Sequence, residues 1–415
     1  SSTFCTHFFS QISSSTTGFL RPCCIFHGPV KNNEGQNFHA STHSIQEYFE
    51  SETLNKYRNM SLNGQEIPNC KKCYEKEKLG LRSRRQRDNL KFKDSIKRLS
   101  ERNMEPKIES IDLRYGNLCN LGCVTCEPKL SSPLNLLWAK HGEEKFSKES
   151  QVVSAREGGL DYLTWYQDES FRSELDKISQ DVIAVNMVGG EPMINDEYFK
   201  VLEKMDVNNH ESRVRLISNF MKFPDEKIKI LEKFNNEVFC SIDGIGDDFE
   251  YIRYPGRFEH VQKNLEKVLR SKISPIIIST VSVLNVMIIP HIFRWGMELF
   301  KKYDKDFLIQ MDHIVTRPSH LAIANLPPET KSEILELYRS FTNEKCFLES
   351  NPHCQKSFEF LIRYIESSVG DPTHIWEGWK YIEKFDEVRG NCWRDHAPWM
   401  EKVLNSTDPI LRDSN

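Results

Sequence analysis

Twelve cysteines carry most of the chemical information in this 415-residue chain, and eight of them (5, 23, 24, 70, 73, 119, 123 and 126) fall in its first third. Three follow the spacing Cys119-x3-Cys123-x2-Cys126 directly after an apolar run. Thiolates so spaced on a loop can wrap one corner of an iron–sulfur cube and leave its fourth iron without a protein ligand. An open iron is a reactive position. A structural zinc site would want a fourth Cys or His close behind Cys126, and none lies there. Clustered cysteines without a secretory signal indicate metal or redox chemistry more often than disulfides. Cys240, Cys346 and Cys354 stand alone and read as ordinary buried thiols.

The stretch LRYGNLCNLGCVTCEP resembles the cluster loop of the radical S-adenosylmethionine (SAM) superfamily, with Thr125 where the family usually carries an aromatic residue. One βα unit later, Val188-Gly189-Gly190-Glu191-Pro192 looks like the family's segment for the methionine amino group. The resemblance implies a 4Fe-4S cluster on Cys119, Cys123 and Cys126. It also implies SAM bound through its amino and carboxylate groups, and reductive cleavage to a 5′-deoxyadenosyl radical that abstracts hydrogen from a substrate. Ser218, Asn219, Ser241 and Asp243 match positions around the SAM ribose and carboxylate. Each is equally a preferred helix cap after a strand.

A second metal signal precedes the first. Cys5, twelve residues, then Gly18-x4-Cys23 resembles the opening of SPASM and twitch auxiliary-cluster domains, and Cys70-x2-Cys73 followed by Gly80, Ser83 and Arg84 extends the likeness. Four thiolates imply a second, auxiliary 4Fe-4S cluster. Zinc held by the same four cysteines is the alternative, since it takes paired spacing too. Cys24 competes with Cys23 as the ligand.

Elements must position these residues. Six short apolar runs, 108–114, 182–188, 213–218, 238–243, 275–283 and 307–315, alternate with amphipathic stretches, the signature of βαβ units. The expected architecture is α/β: a partial six-stranded (β/α)6 TIM-like barrel over 106–317, a Cys-rich twitch-like domain over 1–105, and a helical extension over 318–415. A long insertion, 129–180, holds Trp138, Trp165 and Tyr166 and is expected to lie as a lid over the site. Ser10–Thr17 reads as flexible. In the extension, a thiol at Cys392 could face a cluster or donate hydrogen, against plain packing as the simpler role.

Composition sets the outer limits. Hydrophobic residues at 38%, charged residues at 28% and a net charge of −4 describe a globular chain rather than a disordered one. No apolar run reaches the roughly 18 residues of a membrane span, and the start shows neither a basic n-region nor an apolar core. A cytoplasmic protein with no membrane partner is expected. Residues 71–102 hold thirteen Lys/Arg against five Asp/Glu, which would suit RNA, but interleaved apolar residues favour a solvated helical face. The resemblance implies an external one-electron reductant and a substrate that is a peptide or a small molecule, a ribosomal peptide first. The rival outside enzymes is a zinc-stabilised binding module on a degenerate barrel.

Overall fold

All six apolar runs form strands. A computed structural model describes residues 3–78, 82–141, 156–157 and 160–407. The strands are β1 (Gln11–Ser14), β2 (Leu20–Arg21), β3 (Ser110–Asp112), β4 (Arg156–Glu157), β5 (Leu160–Asp161), β6 (Ala184–Met187), β7 (Arg213–Ser218), β8 (Asn235–Ser241), β9 (Ile276–Val281) and β10 (Ile309–Ile314). Eight of them make one sheet in the order β10-β9-β8-β7-β6-β3-β1-β2, while β4 and β5 form a separate antiparallel pair. Helices Glu197–Leu202, Asp225–Leu231, Phe258–Leu269 and Ile289–Lys302 follow β6, β7, β8 and β9 in turn. The chain divides into two compact units.

The first unit comprises Ser1–Leu118, Val153–Leu216 and Ile230–Asn236. Here β1 lies parallel to β3 with Ile12 opposite Ile111 and Ser13 opposite Asp112. Further along the sheet Ile111 faces Val185, and Val185 faces Val214. One face therefore carries an apolar row of Ile12, Ile111, Val185 and Val214. The alternate face is polar, with Gln11, Ser13, Ser110, Asp112, Asn186 and Arg215. A parallel sheet covered on both sides is apolar on both, so a polar face marks the side that can line a site. The stretch expected to be flexible is thus a buried strand. Its serines hid it, because a strand reads as apolar only where both faces are dry. Trp165 locks the segment further by donating from Nε1 to the Thr16 carbonyl at 3.0 Å.

The described part of the insertion is shared between the units. Residues 142–155 and 158–159 lie outside the described residues. In the first unit Trp165 is 1% exposed and packs on Phe171 with ring centroids 5.1 Å apart, and Tyr166 is buried against Tyr115. In the second unit Trp138, on helix Ser132–His141, packs on Phe385. The aromatic residues expected on a lid are core residues instead. Burying such large rings releases more free energy than displaying them on a mobile cover.

The second unit comprises Cys119–Val152, Ile217–Lys229 and Glu237–Asn415. Cys240, Ile277 and Ile309 form one fully buried row across β8, β9 and β10. The carboxyl-terminal region is helical as its pattern requires, with helices Pro328–Thr342, Pro352–Ser367, Thr373–Arg389 and Trp399–Thr407. Phe293, Phe341, Phe347 and Phe358 knit these helices to the strand-following helix, with Phe293 and Phe341 5.2 Å apart. Cys354 is buried and bonds the Phe307 carbonyl at 3.3 Å, a core thiol like Cys240, while Cys346 is half-buried. No helix among the described residues is long and apolar enough to cross a membrane.

Candidate functional site

Residues 119–126 form a loop whose backbone is tied down at alternate positions. Gly122 donates to the Tyr254 carbonyl at 2.7 Å and Val124 to the Ile252 carbonyl at 2.9 Å. Ser131 Oγ donates to the Leu121 carbonyl at 2.6 Å and accepts from the Leu134 amide at 3.2 Å, and the Cys119 amide donates to Ser132 Oγ at 3.2 Å. Leu121 and Val124 are buried as anchors. With the apolar positions spent on packing, the cysteines are left for chemistry. Burial, then the charges of Cys123 and Cys119, push the Cys126 thiol up; burial also raises Cys123. Thiols raised in this way ionise more readily against a cation, which fits Cys123 and Cys126 as ligands of an iron–sulfur group.

Two arginines that the sequence gave no reason to single out stand beside this loop. Arg253 pairs with the fully buried Asp243 at 2.8 Å. Arg389, the last residue of helix Thr373–Arg389, donates from Nη2 to the Gly122 carbonyl. Asn219 Nδ2 donates to Asn120 Oδ1 at 2.8 Å, so this expected site residue does meet the Cys119–Cys126 loop. Asn219 also accepts from the Met221 amide at 3.0 Å and Ser218 from the Phe220 amide at 3.1 Å, which makes both turn-forming residues. Asp243 accepts from the Thr280 amide at 2.7 Å and so ties the end of β8 to β9. Ser241, at the last position of β8, is buried. Cys392 is half-buried just before Trp393, which packs edge-on against Trp379 at 5.3 Å.

The segment Gly189–Pro192 lies in the first unit. Its Glu191 amide donates to the Leu118 carbonyl at 2.8 Å, the residue immediately before Cys119 in the chain. A Cβ at Gly190 would stand 2.3 Å from that carbonyl, and φ there is +56°. Only glycine permits the approach. Glu191 is buried and turns its carboxylate onto the Met193 amide at 2.9 Å, capping the short helical turn Pro192–Ile194.

The amino-terminal cysteines converge from four places in the first unit. Cys5, Cys23, Cys70 and Cys73 all line one cavity of about 400 Å³, counting space open to solvent, with His7, Arg84 and Arg85. Burial raises the thiols of Cys5, Cys23 and Cys70, and each is raised further by at least one neighbouring thiol. Cys24 does not line this cavity. Its sulfur instead accepts from Arg84 Nη1 at 2.7 Å. Among the described residues no three Cys, His, Asp or Glu side chains converge closely enough to hold one metal ion.

Ser83 starts the helix Arg84–Lys91 that brings in both arginines. Its hydroxyl accepts from the Gln86 amide and its amide donates to the Gln86 side chain, a reciprocal cap. Gly80 lies outside the described residues. Arg85 is held by Glu77, and Arg84 by Asp88 at 3.0 Å and Asp112 at 3.6 Å. Burial alone would raise Asp88, but its hydrogen bond to His7 and the charges of His7, Arg84 and Arg87 outweigh that and hold it at about 2. This part of the basic segment is not the solvated face that its interleaving suggested. Its two arginines are partnered by Glu77 and Asp88 within the segment and by Asp112 from β3.

Comparison with known proteins agrees with the loop. Residues 113–301 match the Radical SAM superfamily. A GTP 3′,8-cyclase from Desulforamulus reducens is 23% identical over 186 residues, 44% of this chain and 50% of that protein. The chain therefore spans about half the length of the curated relative it matches. Among solved structures, anSMEcpe with bound AdoMet is 18% identical, covering 55% of this chain and 60% of that one at a TM-score of 0.36. SuiB from Streptococcus suis bound to S-adenosylmethionine is 12% identical, covering 82% and 70% at a TM-score of 0.34.

Proposed function

This chain carries a radical SAM domain over residues 113–301, and from that premise we propose that it is an enzyme that cleaves SAM reductively and abstracts hydrogen from a peptide substrate. The observation that carries the reading is the Cys119–Cys126 loop, whose backbone is fixed at Gly122 and Val124 while Cys126 feels the charges of Cys123 and Cys119. Cys119, Cys123 and Cys126 would hold a 4Fe-4S cluster, and Gly189, Gly190, Glu191 and Pro192 the methionine end of SAM. When bound, cluster and SAM together supply one-electron cleavage of the sulfonium and a carbon-centred radical. Ser218, Asn219, Ser241 and Asp243 are assigned to the surroundings of the SAM ribose and carboxylate, with Asn219 meeting Asn120 of the Cys119–Cys126 loop. Strands β3 and β6 to β10 are assigned to a partial (β/α)6 barrel, with 318–415 as a helical extension.

The amino-terminal segment, 1–105, is assigned an auxiliary 4Fe-4S cluster on Cys5, Cys23, Cys70 and Cys73. Tetrahedral zinc draws four sulfurs to about 2.3 Å from a single ion. Thiolates of a cubane sit on separate irons and stay further apart. Cys5, Cys23, Cys70 and Cys73 line one cavity, a donor set that suits either group, and the resemblance of this segment to twitch-type proteins favours the cubane. The peptide assignment rests on the resemblance of this segment to twitch-type proteins. An external one-electron reductant is required by the chemistry. The test is anaerobic reconstitution with iron and sulfide, followed by addition of dithionite and SAM. Formation of 5′-deoxyadenosine is expected. Its absence from a protein that has taken up a SAM-responsive cluster would defeat the proposal.

A further inference from the structure

Arg389 lies beyond the matched domain, yet its guanidinium is built into the cluster loop. The helix that carries it stops there: Gly390 takes φ +67°, and the Asn391 amide returns to the Asp386 carbonyl at 3.1 Å. Asp386 fixes the helix end by accepting from the Trp393 amide at 2.7 Å and from the Tyr251 hydroxyl at 3.0 Å. Arg389 then lies across Tyr254 at 4.8 Å and Phe385 at 4.3 Å from the ring centroids. Nη2 donates to the carbonyl of Gly122, between Cys119 and Cys123. Nε and Nη1 are buried with no hydrogen-bond partner among the described residues.

Such a buried donor pair is unfavourable unless something anionic faces it. No carboxylate pairs with Arg389 in an ion pair among the described residues, whereas the neighbouring Arg253 is offset by Asp243 at 2.8 Å. Arginine keeps its charge at neutral pH. The carbonyl that Arg389 holds belongs to Gly122, the residue just before Cys123.

We propose that Arg389 is a positioning residue for the cluster: it holds the Gly122 carbonyl and sets a positive charge beside the loop that carries Cys119 and Cys123, making the bound cluster easier to reduce. This rests on the radical SAM reading above. Reduction adds one negative charge to a group already carrying three thiolates, so a nearby cation stabilises the reduced form more than the oxidised one. Hydrogen bonding and burial around the ligands are established levers on such potentials.

The experiment is an EPR-monitored redox titration of reconstituted wild type, Arg389→Lys and Arg389→Gln. Iron is counted in each, and the signal that changes when SAM is added identifies the cluster at this loop. The midpoint is expected to fall in the order wild type, Lys, Gln, while the SAM-insensitive signal keeps its midpoint in all three. A fully loaded Arg389→Gln with the wild-type midpoint overturns the proposal. Should that variant take up no cluster, Arg389→His decides: a midpoint that rises between pH 8 and pH 6 by more than the wild type's own change supports the role, and parallel profiles overturn it. Wild-type protein lacking any SAM-responsive cluster would instead defeat the radical SAM reading itself.

Discussion

The two cysteine sets gather thiols by opposite means. Cys119, Cys123 and Cys126 come from eight consecutive residues whose backbone is already fixed by Tyr254 and Ile252. Cys5, Cys23, Cys70 and Cys73 come from separate pieces of the first unit and meet around a cavity. The first set is organised by the polypeptide before any metal arrives. In the second, bringing four thiols together orders several segments at once, so the group they hold contributes to folding. The contrast separates a site for chemistry from a site that also acts as a staple.

Replacing Cys119, Cys123 and Cys126 together by Ala gives the largest expected effect. Reductive SAM cleavage should vanish, while the melting temperature moves little because the loop keeps its backbone bonds. Chromatographic detection of 5′-deoxyadenosine from the triple variant would break the assignment. Replacing Cys70 and Cys73 should do the reverse. Of about eight irons per chain, from two cubanes of four, about four should remain by elemental analysis, and the melting temperature should fall while SAM cleavage persists. One zinc retained by the wild type in place of four irons would reject the auxiliary cluster alone. Single replacements sharpen the same point: Cys23→Ala should lower the iron count and Cys24→Ala should leave it unchanged, since the Cys24 sulfur instead accepts from Arg84.

A smaller effect is expected at Gly190. An Ala there meets the Leu118 carbonyl at 2.3 Å with φ +56°, and should destabilise the protein by roughly 2 to 4 kcal/mol. Calorimetry showing a loss below about 1 kcal/mol would mean the segment shifts freely. The smallest effect comes from His320 in the second unit, where burial lowers its pKa from 6.5 to about 4. The unfolded chain therefore binds the proton first. His320 contributes stability above pH about 6.5, and that stability is lost as pH falls toward 4, up to about 3 kcal/mol in all. His320→Gln should flatten the pH dependence of urea unfolding across this window, and an unchanged slope would remove the residue from the account.

Much of this protein is written locally. The spacing of Cys119, Cys123 and Cys126, the glycines at 189 and 190, and the six apolar runs all declare themselves within a few residues, because short-range geometry and period-two burial are properties of adjacent positions. What the tertiary structure alone decided is everything that depends on distant partners. Ser13 and Ser14 look like linker residues until Asp112 and its strand lie beside them. Trp165 looks like part of a lid until Thr16 takes its indole N–H. Cys23 and Cys24 are indistinguishable until Arg84, sixty positions away, claims one of them. Arg389 is one arginine among many until the end of its helix places it on Gly122. Burial and charge pairing are sums over neighbours in space, and a linear chain lists its neighbours only in order.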